Sequence, residues 1–209
     1  MISHTSAVIM ASGFSKRMQK NKLFLTYKKQ SFIERTVETA QKAGFFEVIV
    51  VIRPEGYKKC RFSSDIRIIF NTQSNLGQSM SVRLGTMNAR ADHMMFLPID
   101  QPLLTAEGLQ KIASFGDDKA IVVPFYNKKP SGPVFFGKDY FKELLQVSGD
   151  TGGRSVRNRH KENWVCLEFY DEQLKDIDTQ EEYAQLFSKK ILSFFNKKTL
   201  FKKIFIRTN

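Results

Sequence analysis

Short apolar, β-branched runs alternate with stretches of helical spacing along nearly the whole chain. Ala7–Met10, Glu47–Ile52, Ile66–Phe70, Met94–Pro98, Ala120–Pro124, Val134–Phe136 and Trp164–Phe169 predict strands. Ser31–Ala43, Ser79–Arg90, Thr105–Phe115, Lys138–Gln146, Gly152–Arg159 and Thr179–Ser188 predict helices. Ser31–Ala43 has the fullest set of signals. Ser31 followed by Glu34 makes a capping box, Ile33, Val37 and Ala40 recur at helical spacing, and Gly44 closes the helix. Strands separated by helices predict right-handed crossovers, hence a mostly parallel, Rossmann-like sheet covered on both faces: a three-layer α/β/α fold. In such sheets ligands bind beyond the carboxyl ends of the strands, so the residues just after each strand carry the interest.

Composition narrows this picture. The chain has 209 residues, 42% hydrophobic and 26% charged, which suits one soluble α/β domain. No apolar run approaches the roughly 20 residues that cross a bilayer, and the first residues lack the pattern of a signal peptide. Cys60 and Cys166 match no metal spacing and read as free thiols of a cytoplasmic protein. His4, His93 and His160 lie in unrelated contexts and suggest neither a histidine metal site nor a triad. The net charge of +12 is uneven: residues 189–209 hold seven basic and no acidic residues, leaving five net positive charges for the rest. The expected division is a domain at 1–188 and a basic tail at 189–209. A mildly basic body suits an anionic small substrate; the tail alone is no case for nucleic-acid binding.

Five segments could carry chemistry. Ala7–Met10 feeds a small-residue loop, Ala11-Ser12-Gly13-Phe14-Ser15-Lys16-Arg17-Met18, with Lys22 four residues on. Backbone N–H groups there could cradle a triphosphate, with Arg17 and Lys22 adding charge; the plainer reading is an ordinary turn with solvated cations. The loop has neither the Walker spacing nor the dinucleotide fingerprint. In Asn75–Gly85, Ser79 and Ser81 could donate to a base or phosphate, or one could simply cap the helix. Asp100 follows the buried run Met94–Pro98. It falls beside the first loop in a doubly wound order, where a carboxylate could hold Mg²⁺ on phosphates; the alternative is a turn aspartate. Gly149-Asp150-Thr151-Gly152-Gly153-Arg154 reads as an anion-binding turn or a turn linking helices. In Asp176–Glu182, Asp178 with Glu181 or Thr179 with Glu182 makes a capping box; alternatively Asp178 is a second metal ligand.

In this order the motifs resemble the MobA-like NTP transferases of molybdenum-cofactor biosynthesis, and among them the molybdenum cofactor cytidylyltransferases. The resemblance rests on Met10–Lys22, on Gly77, Ser79, Ser81, Arg83 and Gly85, on Asp100-Gln101-Pro102, on Gly149, Asp150, Gly152 and Arg154, and on Asp176–Thr179. It implies a fold of the nucleotide-diphospho-sugar transferase type and Mg²⁺-dependent transfer of CMP from CTP to the phosphate of molybdopterin, with release of pyrophosphate. It further implies that Arg17, Lys22 and Asp100 carry catalysis. Ala11, Ser12, Gly13, Ser15, Ser79 and Ser81 would hold the nucleotide. Gly149, Asp150 and Arg154 would face the acceptor, and Asp100 and Asp178 would bind the metal. A guanylyl variant, a sugar- or polyol-phosphate nucleotidyltransferase, and a non-catalytic cofactor-binding module serving a molybdoenzyme are the alternatives. The chain departs from the family pattern at Ser12, at Gln19 where a glycine is usual, and at Ser131-Gly132-Pro133.

Overall fold

The computed structural model describes residues 2–14, 18 and 21–187. Ser15, Arg17, Gln19 and the basic tail lie outside them. The strands are β1 (Thr5–Ala11), β2 (Thr26–Tyr27), β3 (Gln30–Ser31), β4 (Glu47–Ile52), β5 (Ile66–Phe70), β6 (His93–Pro98), β7 (Ile121–Tyr126), β8 (Lys129–Pro130), β9 (Val134–Phe136) and β10 (Trp164–Phe169). The α-helices are α1 (Phe32–Ala43), α2 (Pro54–Tyr57), α3 (Gln78–Asn88), α4 (Ala106–Ser114), α5 (Phe141–Leu144) and α6 (Arg154–Arg159), with helical backbone again over 180–187.

The central sheet runs β10-β7-β9-β6-β1-β4-β5, with β8 on β7 and a separate β2–β3 hairpin. Parallel pairing of β1 with β4 and β6 brings Ala11, Ile52 and Pro98 to one edge. Alternate residues of β1 face opposite layers. Ala7, Ile9 and Ala11 meet Ile33, Val37 and Ala40 of α1. Val8 meets Val82 of α3 and a core that includes Leu144 and Val156. On that second side a Cβ on Gly85 would come within 2.3 Å of Val8 Cγ1, so the helix lies directly on the strand.

Two helix boundaries matter for the site. Ser31 and Glu34 make the expected reciprocal cap of α1, and Gly44 ends it at φ +82°. Thr105 caps α4 through the Gly108 N–H, which leaves the Asp100 carboxylate free of any capping task. The expected helix 138–146 is instead a 3₁₀ turn, Lys138–Tyr140, and a short α5. The helix expected from Gly152 begins at Arg154, because Gly149 and Gly152 take positive φ of +67° and +53°.

β9 departs from parallel pairing: it lies antiparallel to both β6 and β7. Only residues 127–133 separate it from β7, too few for the crossover that parallel neighbours need. β2, β3 and β8 had no apolar run to announce them. The β2–β3 turn places Lys28 and Lys29 at φ +51° and +70°, without the glycine that normally marks such a turn.

Candidate active site

The loop after β1 and the loop after β6 face each other across the carboxyl edge of the sheet. Between them sits Lys22, in a 3₁₀ turn (Lys22–Phe24) capped by Asn21. Its Nζ donates to Asp100 Oδ2 at 3.0 Å and to Asp178 Oδ1. Only 10% of the Lys22 side chain is exposed, against 25% for Asp100 and 37% for Asp178. Burial alone would lower the lysine pKa, but the two carboxylates outweigh it and hold the ammonium above its ordinary range.

A third carboxylate stands behind this pair. Asp176 is pushed up to about 7, by burial first and then by the charge of Asp100, with Asp178 adding to it. Among the described residues, three carboxylates thus stand near the Lys22 ammonium. Hard oxygen donors of this kind fit a divalent cation. Among the described residues no three ligating side chains converge. The described residues would therefore supply a divalent cation with one or two carboxylates.

Two clefts meet at Asp100 and Asp178. The first, about 700 Å³, is lined by Ala11, Ser12, Gly13, Lys22, Ser81 and Asp150, among others. The second, about 400 Å³, includes Pro130, Ser131, Gly132, Arg154, Arg157 and Asp176. A Cβ on Gly13 would meet nothing within 4 Å, so the loop backbone borders open space. The Ser12 hydroxyl is turned inward and donates to the Val51 carbonyl at 3.1 Å, tying the loop to β4.

The second segment reads differently in three dimensions. Neither Ser79 nor Ser81 caps α3; Gly77, at φ +96°, occupies the cap position. Ser81 lines the first cleft, and its Oγ accepts from Asn71 Nδ2 at 3.3 Å. Ser79 is buried and lines neither cleft. Of the two serines, only Ser81 borders a cleft. Gly149 likewise lines neither cleft. Its backbone packs on Gly77, where a Cβ would meet the Gly149 carbonyl at 2.6 Å. Gly77→Ala combines that clash with a backbone conformation that only glycine adopts freely. It is expected to cost about 2 kcal/mol or more, read as a lower midpoint in denaturant unfolding. A variant as stable as the parent would contradict this close approach.

Asp178 resolves cleanly. Thr179 and Glu182 form the capping box, with Glu182 N–H donating to Thr179 Oγ1 at 3.2 Å and Thr179 N–H donating to Glu182 Oε2 at 2.9 Å. The Asp178 carboxylate is therefore available to Lys22.

Gln101, the middle residue of Asp100-Gln101-Pro102, is a positioning residue. It is 3% exposed. Its Nε2 lies 3.0 Å from Asp176 Oδ1, 3.1 Å from the Gly132 and Leu174 carbonyls, and 3.2 Å from Ser131 Oγ. One amide thus ties the loop after β6 to both walls of the second cleft. Ile177 N–H donates to the Asp100 carbonyl at 2.8 Å and fixes the Asp178 segment to the same loop. A glutamine beside a site aspartate was the only sequence signal for this role.

The family match defines the class: the chain is a nucleotidyltransferase. Residues 7–164 match the MobA-like NTP transferase domain, and the chain belongs to that family. The chain is 28% identical over 190 residues to the purine catabolism protein PucB of Bacillus subtilis, covering 84% of this chain and 92% of that protein. It is 25% identical over 186 residues to the molybdenum cofactor cytidylyltransferase of Escherichia coli, covering 87% and 95%. With a probable molybdenum cofactor guanylyltransferase of Clostridium perfringens the identity is 22% over 198 residues, covering 93% and 92%. The crystal structure of Rv0371c of Mycobacterium tuberculosis in complex with manganese superposes with a TM-score of 0.74 at 21% identity, covering 88% of this chain and 97% of that one. No helix among the described residues is long and apolar enough to cross a membrane.

Proposed function

We propose that this enzyme transfers CMP from CTP to the phosphate of molybdopterin, or its molybdenum form, and releases pyrophosphate with the help of Mg²⁺. The observation that carries this reading is the meeting of two clefts over Lys22, Asp100 and Asp178. The first cleft would hold the nucleotide, with its phosphates against the Ala11–Gly13 backbone and near Lys22. The second would hold the acceptor. Its phosphate oxygen would then approach the α-phosphorus in line with the departing pyrophosphate, and positioning would supply much of the rate. No protein nucleophile is required.

Asp100 and Asp178 would hold the metal, which when bound neutralises charge on the reacting phosphates. Lys22 keeps its ammonium charged beside both carboxylates and offers the phosphates a further positive charge. Arg17, which lies outside the described residues, and Arg154 are proposed to serve the nucleotide and the acceptor respectively. The Mn²⁺ complex of the mycobacterial relative and the cytidylyltransferase name of the Escherichia coli relative support this reading.

A guanylyl donor is the second reading. It is favoured by the guanylyltransferase names among relatives. The test is pyrophosphate release with each NTP, with and without molybdopterin. Release with CTP and acceptor together is expected. Release with GTP alone among the nucleotides would overturn the cytidylyl assignment, and release with none would overturn the acceptor.

A further inference from the structure

Arg157 is an unusual residue for its surroundings. Arg154, three positions earlier on α6, is exposed, whereas Arg157 is only 8% exposed. Both line the second cleft. The Arg157 guanidinium lies 5.4 Å from the Trp164 ring centre. Its Nε and Nη2 donate to Asn158 Oδ1 at 3.1 and 3.0 Å. The Trp164 indole N–H in turn donates to the Arg157 carbonyl at 2.6 Å.

The side chain is therefore held in place by a neutral amide and an aromatic face, and no carboxylate pairs with it among the described residues. Its pKa is lowered, by burial first and then by the charge of Arg154. Burying a cation beside another cation is unfavourable unless an anion completes the group. An arginine fixed this way keeps N–H donors whose fork suits the oxygens of a phosphate.

We infer that Arg157, with Arg154, forms the site for the phosphomonoester group of the acceptor. The inference rests on the reading of the second cleft as the acceptor's. It also answers an electrostatic problem of that reading. An anionic acceptor must approach an anionic nucleotide over a floor that already holds Asp100, Asp176 and Asp178. Cations on the acceptor's side offset that repulsion. The pair sits at i and i+3 on one short helix, so both side chains share a face. Sequence motifs single out Arg154 alone.

The test follows the Arg157 Nε–H signal by nitrogen–proton NMR in the full chain, assigned by its loss in Arg157→Lys. Inorganic phosphate is titrated at constant ionic strength against chloride. A saturable shift with phosphate and none with chloride is expected. An Arg157 signal that does not move at saturating phosphate would overturn the site, and this arm needs no variant to fold. In turnover, Arg157→Gln is expected to raise the KM for the acceptor by roughly 10- to 100-fold, with the KM for the nucleotide unchanged and Arg157→Lys recovering part of the loss. An unchanged acceptor KM would overturn the role. If no acceptor supports turnover, the transfer reading fails on its own, and the NMR titration still decides the anion site.

Discussion

Asp100→Ala is expected to lower pyrophosphate release by about 100- to 10,000-fold while leaving the fold intact. The reasons are local. The Asp100 carboxylate stands at the junction of both clefts. Its removal takes away one of the two proposed metal donors and one of the two carboxylates that fix Lys22. Stability should change little, because two effects oppose each other. Lys22 loses a 3.0 Å ion pair but keeps Asp178. Asp176 loses the charge that contributes most, after burial, to its raised pKa. Turnover with CTP, and with GTP in parallel, is measured beside thermal unfolding. Activity within tenfold of the parent would remove Asp100 from the proposed machinery.

Lys22→Ala is expected to damage stability and activity together. It leaves Asp100, Asp176 and Asp178 close to one another without their ammonium. Breaking a fully buried pair costs about 3–5 kcal/mol. Asp178 is more than a third exposed and Asp100 a quarter, so water screens part of this. A loss of about 2 kcal/mol at pH 8 is the discounted expectation. The sign of the pH dependence follows from linkage. Removing the lysine takes away a charge that lowers the already raised Asp176 pKa, so the folded chain binds more protons there than the unfolded chain. The variant should thus recover stability as the pH falls through that raised value, and lose it as the pH rises. Added Mg²⁺ should stabilise the variant more than the parent, since a divalent cation can take over the vacated charge. Unfolding midpoints at pH 5.5 and pH 8, with and without Mg²⁺, check each arm. A variant equally stable at both pH values would show that the ammonium is not offsetting these carboxylates. Turnover is expected to fall by about 1,000-fold or more.

The same residues show what pattern reading can reach. Asp100 could be anticipated because an apolar run long enough for a buried strand ends just before it, and such a strand belongs at the sheet centre. Lys22 was visible as a basic residue near a small-residue loop, but nothing in its spacing suggested that it would be buried between two aspartates. Those aspartates are 78 and 156 positions away. Thr105 and Thr179 could be read as caps because capping is set by neighbours within one helical turn. At Asp178–Glu182 two boxes were open to the sequence, and the structure chose Thr179 with Glu182.

Ser79 and Arg157 mark where such reading stops. Ser79 shares a motif with Ser81, and the two differ only in which way the helix turns them once α3 lies on Val8. Arg157 carries no motif at all. Its burial depends on Trp164 of the edge strand β10, which pairs with β7 at the far side of the sheet. Gln101 stands in a motif, but its partners do not: its amide gathers the Gly132 and Leu174 carbonyls and the Asp176 carboxylate from segments remote in sequence.

By itself, then, the sequence determined the seven main strands, the two ends of α1, the start of α4, the small-residue loop after β1 and the acidic residue after β6. These follow from periodicity, caps and apolar runs, which act over a few residues. Tertiary structure alone decided the antiparallel insertion of β9, the burial of Lys22 between Asp100 and Asp178, and the second cleft with its buried Arg157. Each of these depends on charges and backbone groups that only strand order brings within a few ångströms, where burial and Coulomb interactions become strong enough to set protonation and position.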